Sequence, residues 1–269
     1  MFRTRLLSGI VLVAAALLLI ITGGNVLLCS TAVISMIGLM ELYRVFKINK
    51  SLLGGIGFAF TALYYLNLSF HFLLDVEILI IGFLILILAC FVFFYPKYHS
   101  SQVMAAFFGV FYVSVMLSFI YQTRSISNGE YIVWLIFLCS WGCDTSAYCV
   151  GVLFGKHKMA PVLSPKKSIE GAIGGVCGAF LLTVIYALVF QAQMSIDLTQ
   201  VFILGGISAV GGLISMVGDL AASAIKRNYE IKDYGKLIPG HGGILDRFDS
   251  VIITAPIIYY LAVYLIQFM

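Results

Sequence analysis

The sequence has little charge. Only 10% of its 269 residues are Asp, Glu, Lys or Arg, whereas a soluble domain carries about a quarter. With 62% hydrophobic residues and a mean hydropathy of +1.07, the chain cannot cover a soluble surface with polar groups. These values exclude a soluble enzyme, a disordered tail and a secreted disulfide scaffold. They indicate a membrane-embedded protein.

The sequence also lacks paired cysteines. All six cysteines lie in apolar stretches and no CxxC motif occurs, so neither a zinc ribbon nor a redox motif is supported. Cys139 and Cys143 share a helix face, and we expect them to pack as small apolar residues. The net charge of +4 has an explanation in membrane topology, so no nucleic-acid partner is expected.

Apolar stretches long enough to cross a bilayer recur along the chain. A spanning helix needs about 20 apolar residues, which predicts an all-α polytopic membrane protein with about nine transmembrane helices. No small-residue cleavage pattern follows the first stretch, so we expect it to be an uncleaved span. The predicted spans are about 6–22, 25–43, 52–70, 76–95, 103–121, 131–154, 171–191, 199–225 and 250–268.

Lys and Arg residues predict the orientation, because they concentrate on the cytoplasmic side. Nine spans with a cytoplasmic N-terminus place all but one of the 16 Lys and Arg residues inside, and only Arg124 falls outside. A miscounted span would destroy this partition. The predicted cytoplasmic segments are 1–5, 44–51, 96–102, 155–170 and 226–249.

The chain divides by polarity into two regions. Residues 1–125 form five spans with short loops and few charges, for which packing, oligomerisation or lipid contact are open roles, so a homodimer is an open alternative. Residues 126–269 hold four spans, the two long cytoplasmic loops 155–170 and 226–249, and most of the acids. We expect the second region to be catalytic.

Four aspartates of the second region need compensation. Asp144 and Asp219 lie inside spans, where a charge costs about 2.5–3.5 kcal/mol, and both lie toward the predicted cytoplasmic ends. Asp246 and Asp249 begin the last span, three residues apart and so on one helix face. An alternative is that this pair only caps the helix start, where negative charge is favoured. Carboxylates from three helices in one recess suit Mg²⁺ better than a soft metal.

Basic residues and glycines accompany these acids. Ser223 and Lys226 follow Asp219 at helical spacing, and Arg227 comes next. The stretch 239–243 is rich in glycine and leads into a helix N-terminus, which favours an anion. The other loop supplies Lys166, Lys167 and Ser168, and Ser168 is a predicted helix cap. Acids for a metal and bases for phosphate indicate phosphoryl or nucleotidyl transfer.

Two segments carry a family resemblance. The first reads Ser223-x-Ile225-Lys226-Arg227-x4-Lys232-Asp233-x-Gly235-x2-Ile238-Pro239-x-His241-Gly242-Gly243-Ile244-x-Asp246-Arg247-Phe248-Asp249. The second reads Asp144-x2-Ala147-Tyr148-x2-Gly151, Phe154-Gly155-Lys156 and Ser164-Pro165-Lys166-Lys167-Ser168-x-Glu170-Gly171. Together they resemble the phosphatidate cytidylyltransferases (CDP-diacylglycerol synthases). Ser168 departs from the family's more frequent Thr but keeps the hydroxyl.

The resemblance implies the reaction CTP + phosphatidate → CDP-diacylglycerol + diphosphate, dependent on one or two cations, of which one is Mg²⁺ and a second is of unknown identity. Membrane lipids are further partners, and the active site would face the cytoplasm from the inner or plasma membrane of a bacterium. The implied catalytic residues are Asp144, Lys167, Asp219, Lys226 and Asp246. The implied metal ligands are Asp144, Asp219, Asp246 and Asp249. The implied substrate-binding residues are Lys166, Lys167, Ser168, Ser223, Lys226, Arg227, His241, Gly242, Gly243 and Arg247.

Three alternatives stay open. An ion-coupled transporter would also place aspartates inside spans, but it predicts polar groups near the midplane from both halves of the chain. A different membrane transferase could use another nucleotide or a polyprenyl phosphate, although the motif of the CDP-alcohol transferases is absent from the sequence. A structural scaffold leaves the four aspartates unexplained.

Overall fold

The structure, a computed structural model, describes residues 2–70, 74–240 and 242–266. Long helices dominate this part of the chain, and a small hairpin of strands β1 (Lys158–Ala160) and β2 (Ser164–Ser168) is its only sheet. A four-residue helical turn, Gln191–Met194, stands alone. The long helices are α1 (Phe2–Thr22), α2 (Gly24–Val45), α3 (Leu52–Ser69), α4 (Val76–Phe93), α5 (Ser100–Arg124), α6 (Gly129–Phe154), α7 (Ile169–Val189), α8 (Leu198–Asn228) and α9 (Leu245–Ile266).

The helices confirm an all-α polytopic membrane protein. Among the described residues, 8 helices, α2 to α9, are long and apolar enough to cross a membrane. The first predicted span falls on α1, whose described side chains form the shorter apolar stretch Gly9–Thr22. Gly23 separates α1 from α2 with φ of 63°, a backbone conformation that favours glycine.

Two differences from the sequence analysis concern the long loops. Residues 155–170 include the hairpin, in which Lys158 pairs with Ser168 and Ala160 with Ser164. Strands of three and five residues are too short for periodicity to reveal them. The last helix begins at Leu245, five residues before the predicted apolar span, because its first turn carries polar and charged residues that hydropathy alone assigns to a loop. The expected helical placement of Asp246 and Asp249 is confirmed.

The chain forms two compact units, residues 1–121 with 233–246 and residues 122–232 with 247–269. The first unit therefore also takes in a segment from the far end of the chain. Each compact unit consists of two separate ranges of the chain, so no single boundary divides the structure. The functional division at residue 125 stays a prediction.

Hydroxyl groups join the helices of the first unit. Tyr65 donates to the backbone carbonyl of Ser114 at 3.1 Å, and its oxygen lies 2.7 Å from the Ser35 hydroxyl. The Thr61 and Ser114 hydroxyls are 2.9 Å apart. Ser114 belongs to a π-helical turn of α5, Val110–Val115. These buried bonds connect α2, α3 and α5, because a hydroxyl inside an apolar bundle needs a partner.

Glycines and cysteines let the helices of the second unit pack closely. A Cβ atom on Gly175 of α7 would lie 2.9 Å from the Cys143 sulfur and 2.9 Å from the Met216 methyl group. Gly211 and Gly212 of α8 leave similar room for Cys139 and Cys143. Both cysteines are free and fully buried, so the predicted packing role is confirmed.

This packing predicts different outcomes for two glycines of α8. Gly211→Val should lower the free energy of unfolding by about 1–3 kcal/mol, the usual cost of overpacking, because its Cβ would lie 2.9 Å from the Cys139 sulfur and 3.2 Å from Ile258. Gly206→Val should have no such cost, since nothing lies within 4 Å of a Cβ there. Thermal unfolding in detergent measures both, and equal midpoints would contradict the packing.

Candidate active site

Three aspartates of the second unit lie within electrostatic reach of one another. Asp144 of α6 and Asp249 of α9 both interact with Asp219 of α8 and with each other. Asp249 is buried, and the Ser250 hydroxyl donates a long hydrogen bond of 3.4 Å to Asp144. Three different helices thus bring negative charge to one place, as the sequence analysis expects for these three residues.

Three basic residues of the same unit accompany these aspartates. Lys167, the penultimate residue of β2, forms an ion pair with Asp219, and each side chain is 24% exposed. Lys226 interacts electrostatically with Asp249, and Arg247 with Asp144. The formal charges of these six side chains cancel. Opposite charges in reach of one another partly compensate the cost of placing charge inside helices that are otherwise apolar.

Arg247 has spare hydrogen-bonding capacity. Its backbone carbonyl accepts a hydrogen bond from the Trp141 indole at 3.2 Å, which connects α9 to the π-helical turn Leu138–Gly142 of α6. The side-chain Nε atom is buried and has no hydrogen-bond partner among the described residues. A buried donor of this kind is costly unless a ligand satisfies it.

A cavity of about 530 Å³ opens beside the cluster. Its polar lining consists of Asp144, Asp219 and Lys167 together with further residues of the hairpin. The hairpin residues are Lys158, Ser164, Lys166 and Ser168. The apolar residues include Tyr148, Val152, Met159 and Met216. A cavity lined by both charged and apolar residues suits a ligand that has a phosphate and an apolar part.

The hairpin is attached to the start of α7. The buried Ser168 hydroxyl accepts the Gly171 N–H at 3.1 Å, which confirms the predicted cap. The Glu170 carboxylate accepts the backbone N–H groups of Lys156 and His157, and the His157 ring lies 2.6 Å from it. These bonds hold Lys167, the residue before the cap, at the cavity wall.

Asp246 belongs to the first unit and has different partners. Its Oδ2 atom accepts the backbone N–H groups of Tyr234 at 2.8 Å and Gly243 at 2.9 Å. Gly242 has φ of 86°, and a Cβ there would lie 2.8 Å from the same oxygen. In the structure Asp246 therefore organises the loop before α9, and its roles in metal binding and catalysis stay predictions.

The remaining predicted residues lie on α8, on β2 and in that loop. Ser223 and Lys226 are half-buried and follow Asp219 along α8, whereas Arg227 and Lys166 are exposed. The Gly243 N–H, a predicted phosphate donor, already donates to Asp246. His241 lies outside the described residues.

Two features of the structure were not predicted from the sequence. Lys158 lines the cavity from β1, but a single lysine in a basic loop has no distinguishing signal. Glu41 accepts two backbone N–H groups at the start of α9. As the only acid in the sequence of α1, α2, α3 or α5, it offered a signal that could have been followed.

Carboxylates are the groups in this cluster that could hold a cation. The donors Asp144, Asp219 and Asp249 suit Mg²⁺ chemically. Within the described ranges, however, no group of three or more His, Cys, Asp or Glu side chains is arranged to hold a metal ion. Asp219 is paired with Lys167, so a cation would have to take the place of that lysine.

The fold and the site define an integral membrane protein whose charged cavity lies among apolar helices. Comparison with known proteins then identifies the family. A sequence model of the cytidylyltransferase family matches residues 3–265. The chain belongs to the cytidylyltransferase family, as its motifs predict, and it is a membrane-embedded transferase.

Individual relatives agree. The chain is 31% identical over 268 residues to the phosphatidate cytidylyltransferase of Staphylococcus aureus (strain COL), a match that covers 95% of this chain and 97% of the relative. The protein of the same description from Staphylococcus haemolyticus is 29% identical with the same coverage. That from Staphylococcus epidermidis is 40% identical over 150 residues, 55% of each chain.

Proposed function

We propose that this protein converts CTP and phosphatidate into CDP-diacylglycerol and diphosphate. The observation that carries the proposal is the neutral cluster of three aspartates and three basic residues beside the cavity. Phosphatidate is the substrate named in the descriptions of the relatives. A cavity lined by both lysines and apolar residues suits a lipid phosphate and a nucleoside triphosphate together. Family membership also favours the transferase over the ion-coupled transporter.

The reaction needs positioning more than acid–base chemistry. A phosphate oxygen of the lipid attacks the α-phosphorus of CTP, a new P–O bond forms, and the bond to the β-phosphate oxygen breaks as diphosphate leaves. The lipid phosphate is a monoester with a second pKa of about 6, so it is already ionised near neutral pH. The protein has to align the two phosphates and neutralise their charge.

The basic residues are placed for this task. Lys167 and Lys158 line the cavity. The N–H group at the buried Nε atom of Arg247 has no hydrogen-bond acceptor among the described residues. We assign Lys167, Lys226 and Arg247 to the substrate phosphates. Asp219 holds Lys167 before substrate binds, and Ser168 fixes the strand that carries it.

The carboxylates would hold the divalent cation, which supplies further charge neutralisation on the triphosphate. Asp144, Asp219 and Asp249 are the three assigned ligands, and Asp246 remains a fourth candidate. When phosphate draws Lys167 away from Asp219, a carboxylate is freed in the cluster. The binding of the nucleotide and of one or two cations is therefore expected to be coupled.

We further assign the cavity to the cytoplasmic side of the membrane. The partition of Lys and Arg supports this orientation, and CTP is a nucleotide of the cytosol. The hairpin lysines would then meet CTP directly, while phosphatidate reaches the site from the bilayer.

Variants of the cluster test the activity. Asp219→Asn and Lys167→Met should each lower CTP-dependent formation of CDP-diacylglycerol by about 100-fold or more, the usual effect of removing a group that stabilises charge in the transition state. The measurement follows radiolabelled CTP in purified protein with phosphatidate in mixed micelles. Asp75→Asn is the matched control, since Asp75 is exposed and makes no capping hydrogen bond at the start of α4.

Substrate replacement separates the alternatives. Diphosphate release that requires both CTP and phosphatidate supports the proposal. Release with a polyprenyl phosphate or with another nucleotide in their place would indicate a different transferase. Full activity of the Asp219→Asn variant would refute its assigned role.

Chelation tests the cation. Treatment with EDTA should abolish product formation, and added Mg²⁺ should restore it, because the carboxylates are hard oxygen donors. Asp144→Asn should raise the Mg²⁺ concentration needed for half-maximal activity, whereas Asp75→Asn should leave it unchanged. Undiminished activity in EDTA would contradict the metal assignment.

Sealed vesicles test the orientation. CTP does not cross the bilayer, so inside-out membrane vesicles should form CDP-diacylglycerol without detergent. Right-side-out vesicles should do so only after permeabilisation. Activity of intact right-side-out vesicles, with none in inside-out vesicles until they are permeabilised, would place the cavity on the other side.

A further inference from the structure

Glu41 is a buried acid in the first unit. It lies in α2, in an apolar stretch of sequence, and is only 3% exposed. A carboxylate in such surroundings is costly unless donors satisfy it. Its presence therefore calls for a specific set of partners.

Those partners are backbone groups more than 200 residues away in the chain. Glu41 Oε1 accepts the N–H of Ile244 at 3.1 Å, and Oε2 accepts the N–H of Leu245 at 2.9 Å. Leu245 is the first residue of α9. N–H groups in the first turn of a helix have no acceptor within the helix, and the helix dipole favours negative charge there. Glu41 thus caps α9 from another helix.

Two glycines let the loop close around this carboxylate. A Cβ atom on Gly235 or Gly243 would collide with the Glu41 carboxylate, and one on Gly235 would also lie 3.1 Å from the Gly243 Cα. Larger residues at either position would push the loop away from Glu41. The loop is therefore built to fit this acid closely.

Asp246, in the first turn of α9, also binds the backbone of this loop. It accepts the N–H groups of Tyr234 and Gly243, while Glu41 accepts the next two N–H groups after Gly243. Three successive N–H groups, of Gly243, Ile244 and Leu245, thus point at two carboxylates. Asp246 lies in α9, which follows the loop directly, whereas Glu41 connects the start of α9 to α2.

We propose that Glu41 is a positioning residue that holds the described residues 234–240 and 242–244 of the loop before α9, with the predicted substrate-binding glycines Gly242 and Gly243, in the conformation needed for the reaction. The link between Glu41 and the reaction rests on the proposed function, whereas its effect on the loop is independent of that function. Glu41 touches no substrate and acts through the backbone of Ile244 and Leu245.

Hydrogen–deuterium exchange of the full-length protein in detergent tests the effect on the loop. Glu41→Gln keeps the shape but loses the charge and one acceptor oxygen, so the amides of Gly243, Ile244 and Leu245 should exchange about 10-fold faster or more. Ser35→Ala is the matched control, because it removes a buried hydrogen bond from the same helix, to Tyr65. It should leave exchange in the loop unchanged.

Kinetics test the consequence for the reaction. Glu41→Gln should raise the KM for CTP about 10-fold and leave the KM for phosphatidate within about two-fold, since the loop carries the glycines predicted to bind nucleotide phosphates. Ser35→Ala should leave both KM values unchanged even if it lowers the melting temperature. A purely structural role of Glu41 would instead lower the active fraction without changing either KM.

The outcomes separate this inference from the proposed function. Wild-type exchange in the loop of Glu41→Gln, or an unchanged KM for CTP, would overturn the role of Glu41 while the activity stands. A wild-type protein without cytidylyltransferase activity would overturn the proposed function, and exchange would still decide whether Glu41 holds the loop. If Glu41→Gln does not fold, Glu41→Asp replaces it. That variant keeps the charge but is one methylene shorter, so faster loop exchange supports the inference and wild-type exchange refutes it.

Discussion

A charge placed inside an apolar helix has to be compensated, and this constraint governs the structure. An uncompensated charge costs about 2.5–3.5 kcal/mol at the centre of a membrane helix. The protein compensates Asp219 with Lys167 and Glu41 with the N–H groups of Ile244 and Leu245. Each solution connects segments that are distant in the sequence. In each unit, the same interactions that make a buried charge tolerable therefore also determine which helices and loops lie together.

Close helix packing makes the compensation in the second unit possible. Gly175 and Gly212 leave room for Cys143, so α6, α7 and α8 approach closely. Asp144 follows Cys143 directly in the sequence and thereby comes within reach of Asp219 and Lys167. The apolar packing residues contribute no chemistry of their own. They set the short separations at which carboxylates and lysines influence one another.

Hydropathy predicted most of the fold, because membrane helices need long apolar stretches, whereas the orientation expected from the basic residues stays a prediction. Helical spacing also indicated which aspartates share an end of the bundle. It could not predict the partners of Asp246, since a helix face gives a direction but not a hydrogen bond. The role of Glu41 was equally out of reach: its partners are backbone groups, which every residue except proline carries. Only the solitary position of Glu41 in an apolar helix was visible in the sequence.

The contact between Glu41 and α9 also bears on the membrane topology. It places the C-terminal end of α2 and the N-terminal end of α9 on the same side of the membrane, because Glu41 lies four residues before the end of α2 and Leu245 begins α9. The chain between them must then cross an even number of times. Six long helices, α3 to α8, lie between these points in the described chain. A hydrogen bond within one unit therefore requires an even number of membrane crossings between α2 and α9. The partition of Lys and Arg requires the same even number, although it depends on different residues and on a different physical effect.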